Sequence, residues 1–343
     1  MSTSEISNNS SMANLVDSQI FSLLDDQIYT FPESVDSHAP VLRRRGGLTP
    51  DHLEPIAVRK WKRVLSWIAF EPDQVTELVD REGQSALHHA CLFRAPANVV
   101  EAMLFASPDL ASGRNDEGEL ALHWAVRLAL PMEILKSLLI ANPTGGFTVD
   151  MKGNSPVSLL WDRHDDTLLH IHGCFGRERV LSSPQWKRIM LLVKSASEQE
   201  RELHAIASTP CPTSFLRFAA MIYKEDLSVR DRYGRVPLSI CASSSGIDEE
   251  MDWLSLTILL DIFPQAACFP DTSGRLPLHL ALETNRTWEG GVKALLKAEP
   301  RCLTARDPLT KLYPFMLAAA NDSDISTIFR LLLADPECVR PMM

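Results

Sequence analysis

The chain has 343 residues, 45% of them hydrophobic, and its 34 Lys and Arg against 44 Asp and Glu give a net charge of −10. This acidic balance argues against a general nucleic-acid or anionic-membrane surface, because both need a basic footprint. Seven cysteines without a Cys-x-x-Cys pair indicate neither a disulfide framework nor a zinc knuckle. The start shows no signal-peptide pattern, and no apolar run approaches the roughly 18 residues that span a bilayer. We therefore expect a soluble protein of the cytoplasm or the nucleus.

The first part of the chain, residues 1–52, is predicted to be a disordered tail, since serine and asparagine crowd its start. Within it, five apolar residues could line one face of a short amphipathic helix: Leu15, Val16, Ile20, Leu23 and Leu24. Two interpretations stay open. The helix is a docking motif, which would make the chain an adaptor that recruits a second protein, or it folds back onto the first repeat.

From about residue 57 the sequence repeats itself. The frame from Asp80 to Ala90 returns 35 residues later, from Asn115 to Ala125. Two markers recur in phase, a glycine at Gly83, Gly118, Gly153, Gly234 and Gly274 and a proline at Pro72, Pro108, Pro143, Pro264, Pro300 and Pro336. An Asp-x-x-Gly sequence suits a tight turn, and proline ends a helix because it lacks an amide hydrogen. The pattern predicts an array of units that each contain a turn, a short helix and a longer apolar-periodic helix.

This unit resembles the ankyrin repeat, whose signature is a turn, then Thr-Pro-Leu-His-x-Ala, then a second helix. The best match lies at Asp271, Gly274, Pro277, Leu278, His279 and Ala281. The resemblance covers about residues 57–340. It departs from the family at Val157 and Ser158, where Leu-His is expected.

The resemblance implies an all-α, ankyrin-type helical solenoid of about seven to eight units with short turn or finger loops, over residues 53–343. We count a capping unit at 57–78 and full units near residues 79, 114, 149, 229, 270 and 306. The spacing also predicts an enlarged unit at 149–195 and a degenerate, glycine-less unit at 196–228.

Four histidines occupy the same position of their units: His88, His123, His204 and His279. They could be a ladder of metal ligands or bases. In ankyrin-like units, however, this imidazole bonds the backbone of an adjacent turn, and we prefer that structural role.

About 11 surplus residues of the enlarged unit are expected within 162–183, where zinc-ligand types gather: His164, Asp165, Asp166, His170, His172 and Cys174. A metal-dependent hydrolase built on this insertion is one alternative. Their spacing matches no established metal motif, and a solvated insertion explains them as well. The chain also has no phosphate loop, no nucleophile elbow and no His-Glu-x-x-His sequence, so we expect neither an enzyme nor a cofactor.

The resemblance implies a monomeric module that binds a protein partner, of unknown identity, through its concave face. Carried over by position, the contacting finger residues are Arg81, Glu82, Gln84, Asp116, Glu117, Glu119, Lys152, Asn154, Arg232, Tyr233, Arg235 and Arg275, beside Met151, Thr272 and Ser273. Their summed charges run 0, −3, +1, +2 and +1 along the array. We therefore expect all of them to be exposed, and the surface to change from acidic near Asp116 to basic near Arg232.

Overall fold

The computed structural model describes residues 61–70, 72, 75, 79–244 and 249–334, and for 249–253 the backbone alone. The predicted tail of residues 1–52 lies outside the described residues. The chain divides into two compact units, the first ending at Leu160 and the second beginning at Trp161. Seven repeats follow one another along the described chain, and we number them by range: repeat 1 (79–113), 2 (114–148), 3 (149–195), 4 (196–228), 5 (229–269), 6 (270–305) and 7 (306–334).

The first unit contains residues 61–70, which are helical, then repeats 1 and 2 and the start of repeat 3. Each of the two repeats has a short first helix, a longer second helix and a 3-10 turn. Their bounds are Ala86–Leu92, Ala97–Ala106 and Pro108–Ser112 in repeat 1, and Ala121–Arg127, Met132–Ala141 and Gly145–Phe147 in repeat 2. The helix Pro156–Phe175 begins in this unit and continues into the second.

The second unit contains the rest of repeat 3, with helices Arg177–Ser182 and Pro184–Ser195, and repeats 4 to 7. The first helices of repeats 4 to 7 are Glu202–Ala207, Pro237–Ser243, Pro277–Glu283 and Pro314–Ala320. Their second helices are Thr213–Ile222, Glu249–Ile262, Lys293–Ala298 and Ile325–Ala334. A π-helical turn lies at Trp288–Val292, and 3-10 turns lie at Lys224–Ser228, Pro264–Cys268 and Pro300–Thr304. Within the described residues β-structure is limited to the isolated bridges Val79 to Ser85 and Arg114 to Leu120, so the all-α prediction is confirmed.

Each repeat with the Asp-x-x-Gly frame opens on a finger turn that its first residue stabilises. In repeat 1 the carboxylate oxygen Oδ1 of Asp80 accepts the amide hydrogens of Glu82 at 2.9 Å and Gln84 at 2.8 Å. Gly83 completes the turn at a φ of 73°, which side chains disfavour. The amide of Asp116 then donates to the carbonyl of Glu82 at 3.0 Å, so one finger is bonded to the next.

The second helices bury one face, as the apolar spacing predicts. In repeat 1 the buried residues are Val99, Val100, Met103 and Leu104, and in repeat 2 they are Ile134, Leu135, Leu138 and Leu139. The two helices pack side by side, so neighbouring repeats supply each other's core.

The four equivalent histidines are structural, as preferred from the sequence. Each Nε2 lies 3.0 to 3.2 Å from a backbone carbonyl of the following finger segment: His88 to Glu119, His123 to Asn154, His204 to Val229 and His279 to Ala305. Burial lowers the pKa of all four imidazoles, because the charged form loses its hydration. The first three histidines are therefore neutral links between repeats, and His279 is a neutral link to the last residue of its own repeat.

The surplus residues of repeat 3 differ from the solvated insertion that the sequence suggested. They lengthen the first helix to 20 residues and add the helix Arg177–Ser182. Leu168 and Val180 are fully buried. The ring of Trp161, on the same long helix, packs against Phe215 with centroids 5.1 Å apart. The insertion is therefore partly core, since Leu168 and Val180 are shielded from solvent.

Candidate interaction surface

The two central residues of each finger, which we call the tip, face solvent. The exposed tip residues are Arg81, Glu82, Asp116, Glu117, Met151, Lys152, Arg232, Tyr233, Thr272 and Ser273. At this position the expectation of exposure is confirmed.

The residue after each finger glycine points inward, so the expectation that it is exposed is wrong. Gln84, Glu119 and Arg275 are buried, and Asn154 and Arg235 are half-buried. The physical reason is the turn itself. The amide of this residue donates to the oxygen of the opening Asp or Asn, which places its side chain over the first helix.

Ion pairs reduce the acidic character expected in the first unit. Glu119 is 1% exposed and forms an ion pair with Arg127, which also lies 3.5 Å from the Asp150 carboxylate. The tip residue Glu117 lies 3.2 Å from Lys152 of the next finger. Of the three carboxylates counted in repeat 2, Asp116 and Glu117 face solvent.

The same effect reduces the basic surface expected in the second unit. Arg235 lies 2.9 Å from Asp231 at the start of its own finger. Arg275 lies 2.6 Å from Glu283 and 3.2 Å from Asp307, whose side chain is fully buried. The guanidinium groups of Arg235 and Arg275 therefore neutralise carboxylates of the fold.

Arg232 is the arginine of this group that stays exposed, and its partner was missed by the sequence analysis. Its guanidinium lies 2.8 Å from the carboxylate of Glu198, and both side chains are largely solvent-accessible. Glu198 precedes Tyr233 by 35 residues, so it holds the tip position of the degenerate repeat 4. The spacing of 35 residues could have predicted this tip position, but repeat 4 lacks the glycine that marks the finger in other repeats.

Tyr233 is the large apolar residue of this tip. Its side chain is 48% exposed, and the guanidinium carbons of Arg232 and Arg235 each lie 4.9 Å from its ring centroid. Such cation–π contacts contribute about 0.5–1 kcal/mol each at exposed sites. The Tyr233 carbonyl accepts the amide hydrogen of Thr272 at 2.9 Å, which fixes the tip against the next finger.

A polar cleft of about 220 Å³ opens beside this tip. Its lining residues come from the fingers of repeats 4 and 5 and from the first helix of repeat 4: Glu198, Gln199, Glu200, Arg201, His204, Arg230, Asp231 and Arg232. Two of its arginines have internal partners, since Arg201 pairs with Asp226 at 2.9 Å and Arg230 donates to the Pro270 carbonyl at 2.7 Å. The cleft is therefore lined both by arginines that have partners within the protein, Arg201 and Arg230, and by the exposed ion pair of Arg232 and Glu198.

The candidate metal ligands of the insertion are not brought together. Among the described residues, no group of three or more His, Cys, Asp or Glu side chains is placed to hold a metal ion. The Cys174 sulfur lies 3.7 Å from Nε2 of His170, one helical turn away. His172 instead packs edge-on against Phe218, with ring centroids 5.9 Å apart. The geometry gives the hydrolase alternative no ligand set.

In the parts of the chain that the structure describes, no helix combines the length and the apolar character needed to cross a bilayer.

No protein-family model matches the chain, and no curated protein matches its sequence. Among solved structures, it is similar to the ankyrin repeat domain of Bcl-3, described as a unique member of the IkappaB protein family, with 18% identity over 74% of this chain and 100% of that one and a TM-score of 0.32. It is also similar to the ankyrin repeat protein EF0377, with 16% identity over 62% of this chain and 96% of that one and a TM-score of 0.27. Both TM-scores are low, so the fold assignment depends on the geometry of the repeats and not on these two similarities. That geometry consists of the finger turn, the histidine link and the pair of helices in each repeat.

Proposed function

We propose that this chain, which has the ankyrin-repeat fold, is a non-enzymatic protein-interaction module whose central contact is the Tyr233 tip. The observation that carries the proposal is the exposed Tyr233 ring held beside two guanidinium groups at 4.9 Å. The fold itself is a protein-binding scaffold, but fold alone does not select a site. The Tyr233 tip is the site we select, because it combines an aromatic side chain with the accessible charge of Arg232.

The tip is suited to binding because its main side chain is already ordered. Tyrosine and arginine dominate the energetics of many protein interfaces, and an ordered ring loses less conformational entropy on binding. The backbone bond from Thr272 to Tyr233 restrains the same tip. The Tyr233 tip therefore offers a preorganised anchor.

The adjacent ion pair indicates the chemistry of the partner. Arg232 and Glu198 form an exposed pair, and exposed pairs are weak. A carboxylate of the partner can therefore replace Glu198 and gain a charge-assisted hydrogen bond to the guanidinium. We infer that the partner presents an extended acidic segment, with one apolar residue that packs against Tyr233. On the first unit, Asp116 and Glu117 are the corresponding acidic tips for a basic segment.

The test is affinity capture with the full chain as bait, comparing wild type with Tyr233→Ala and Lys152→Ala. Lys152 holds the same tip position in repeat 3 and is the matched control. The proposal expects a partner that wild type and Lys152→Ala retain and that Tyr233→Ala loses. Equal retention by all three proteins would contradict it. A partner lost only on deletion of residues 1–52 would favour the adaptor interpretation instead.

A further inference from the structure

An apolar stripe runs along the outer side of the first unit. Phe70, Phe105 and Ile140 are spaced by 35 residues and are 84%, 93% and 81% exposed. We call these three residues the outer stripe. Phe105 and Ile140 lie in the last turn of the second helices of repeats 1 and 2, and Phe70 lies at the end of the helical residues 61–70.

The fold does not require an apolar residue at this position. Phe105 and Ile140 each stand three residues before the proline of the following turn. The equivalent residues of repeats 5 and 6 are Asp261 and Lys297, and both are exposed. Because charged residues occupy this position in repeats 5 and 6, packing within a repeat does not explain the apolar residues of the stripe.

Phe105 and Ile140 lie on neighbouring helices that pack against each other. One turn earlier, the Ser137 hydroxyl donates to the Glu101 carboxylate at 3.4 Å, which joins the second helices of repeats 1 and 2. Ile68, Met103 and Leu138 follow the same spacing of 35 and are all buried, so Phe70 stands two residues after a buried position, as Phe105 does. With packed helices about 8–10 Å apart, the stripe spans roughly 20 Å.

We propose that residues 15–24 of the same chain cover the outer stripe. This segment lies outside the described residues, and its apolar positions Leu15, Val16, Ile20, Leu23 and Leu24 suit one face of a helix. Ten residues of helix extend about 15 Å, which is close to the span of the stripe. The proposal does not depend on the function assigned to the Tyr233 tip.

Tethering favours this occupant over a second copy of the chain. Residues 25–60 join the segment to the helix that ends in Phe70, a linker of 36 residues. For comparison, any unstructured chain of 36 residues has a root-mean-square extension of about 30–36 Å, which exceeds the stripe. The effective concentration of a segment so tethered is on the order of millimolar, far above that of a free copy.

The experiment is hydrogen exchange with mass spectrometry on the full chain, comparing wild type, Phe105→Asp and Lys297→Asp. Lys297 is the matched control because it holds the same position in repeat 6. We expect the amides of residues 15–24 to exchange about tenfold more slowly in wild type and Lys297→Asp than in Phe105→Asp. The amides of residues 99–104 report whether the helix stays folded.

Three results would overturn the proposal. Fast exchange of residues 15–24 in wild type would show that the segment is not packed. Slow exchange that persists in Phe105→Asp would place it on another surface. Protection that increases with protein concentration would assign the stripe to a second copy.

Discussion

His88 and Glu119 are joined across the boundary between repeats 1 and 2, with Nε2 of the imidazole 3.0 Å from the carbonyl oxygen. Nδ1 of the same ring accepts the amide hydrogen of Ser85 at 3.1 Å, so the proton lies on Nε2 and the ring is neutral. Protonation of Nδ1 would break the bond to Ser85. The Nε2 bond to Glu119 would remain, so the contact within repeat 1 is the one that acid breaks.

The burial of the four histidines predicts that the protein loses stability on mild acidification. Burial holds the pKa of His88, His123, His204 and His279 below the ordinary value of 6.5. Below about pH 6.5 the unfolded chain therefore binds more protons than the folded chain, so the free energy of unfolding decreases as pH falls. Urea titrations at pH 7.5, 6.5 and 5.5 should give progressively lower midpoints. A midpoint that rises towards pH 5.5 would contradict the prediction.

Two glycines of the first unit separate the cost of turn geometry from the cost of finger packing. Gly83 and Gly153 have similar φ values of 73° and 81°. A Cβ at Gly83 would lie 2.9 Å from the Asp116 amide nitrogen, whereas a Cβ at Gly153 would meet nothing within 4 Å. Gly153→Ala should destabilise by about 1 kcal/mol, the cost of a left-handed alanine.

Gly83→Ala should cost about 1 kcal/mol more than Gly153→Ala, because the next finger must also move. Urea midpoints of the two variants, measured side by side, check this difference. Equal losses would contradict the prediction, because they would show that the next finger accommodates the Cβ without cost.

Ser158 and Ser239 stand at the histidine position of their repeats, and we expect opposite effects on stability when each is replaced by alanine. The Ser158 hydroxyl accepts the amide hydrogen of Ser155 at 2.9 Å and so performs part of the histidine's role. Ser239 is 1% exposed, and its hydroxyl has no hydrogen-bond partner among the described residues. Ser158→Ala should destabilise by about 1 kcal/mol, whereas Ser239→Ala should be neutral or stabilising. A larger loss at Ser239 than at Ser158, measured by urea unfolding, would show that Ser239 has a partner.

Local patterns allowed most of the fold to be predicted from the sequence. The finger turn depends on Asp80 and Gly83 within four residues, and the His88 link depends on a position that recurs in each repeat. The final repeat was harder, because it replaces the glycine by Lys311 at a φ of 62°. The enlarged repeat was harder still, because the burial of Leu168 and Val180 is a tertiary property that spacing along the chain does not encode.

The candidate site was predicted only in part, since ion pairing is not a local property. Spacing located the Tyr233 tip correctly as an exposed position. It did not reveal that Arg235 faces Asp231 or that Arg275 reaches Asp307, which lies 32 residues later in the sequence. Charge counted along a repeat therefore overestimates the charge that a partner meets.

The ion pair between Arg235 and Asp231 also decides which variants can test binding without disturbing the turn. A double change of Arg232 and Arg235 to glutamate would place a second carboxylate beside Asp231 and disturb the turn. Tyr233→Ala and Arg232→Gln change exposed side chains and leave the Arg235 to Asp231 pair intact. Loss of binding in these variants can then be assigned to contact with the partner.

The most direct test of the interaction module is the dissociation constant of a captured, purified partner for the full chain, measured by titration calorimetry. We expect Tyr233→Ala to weaken binding by about tenfold or more, as for a central interface tyrosine, and Lys152→Ala to leave it within about twofold. Equal dissociation constants for wild type and Tyr233→Ala, with both proteins folded, would contradict the account.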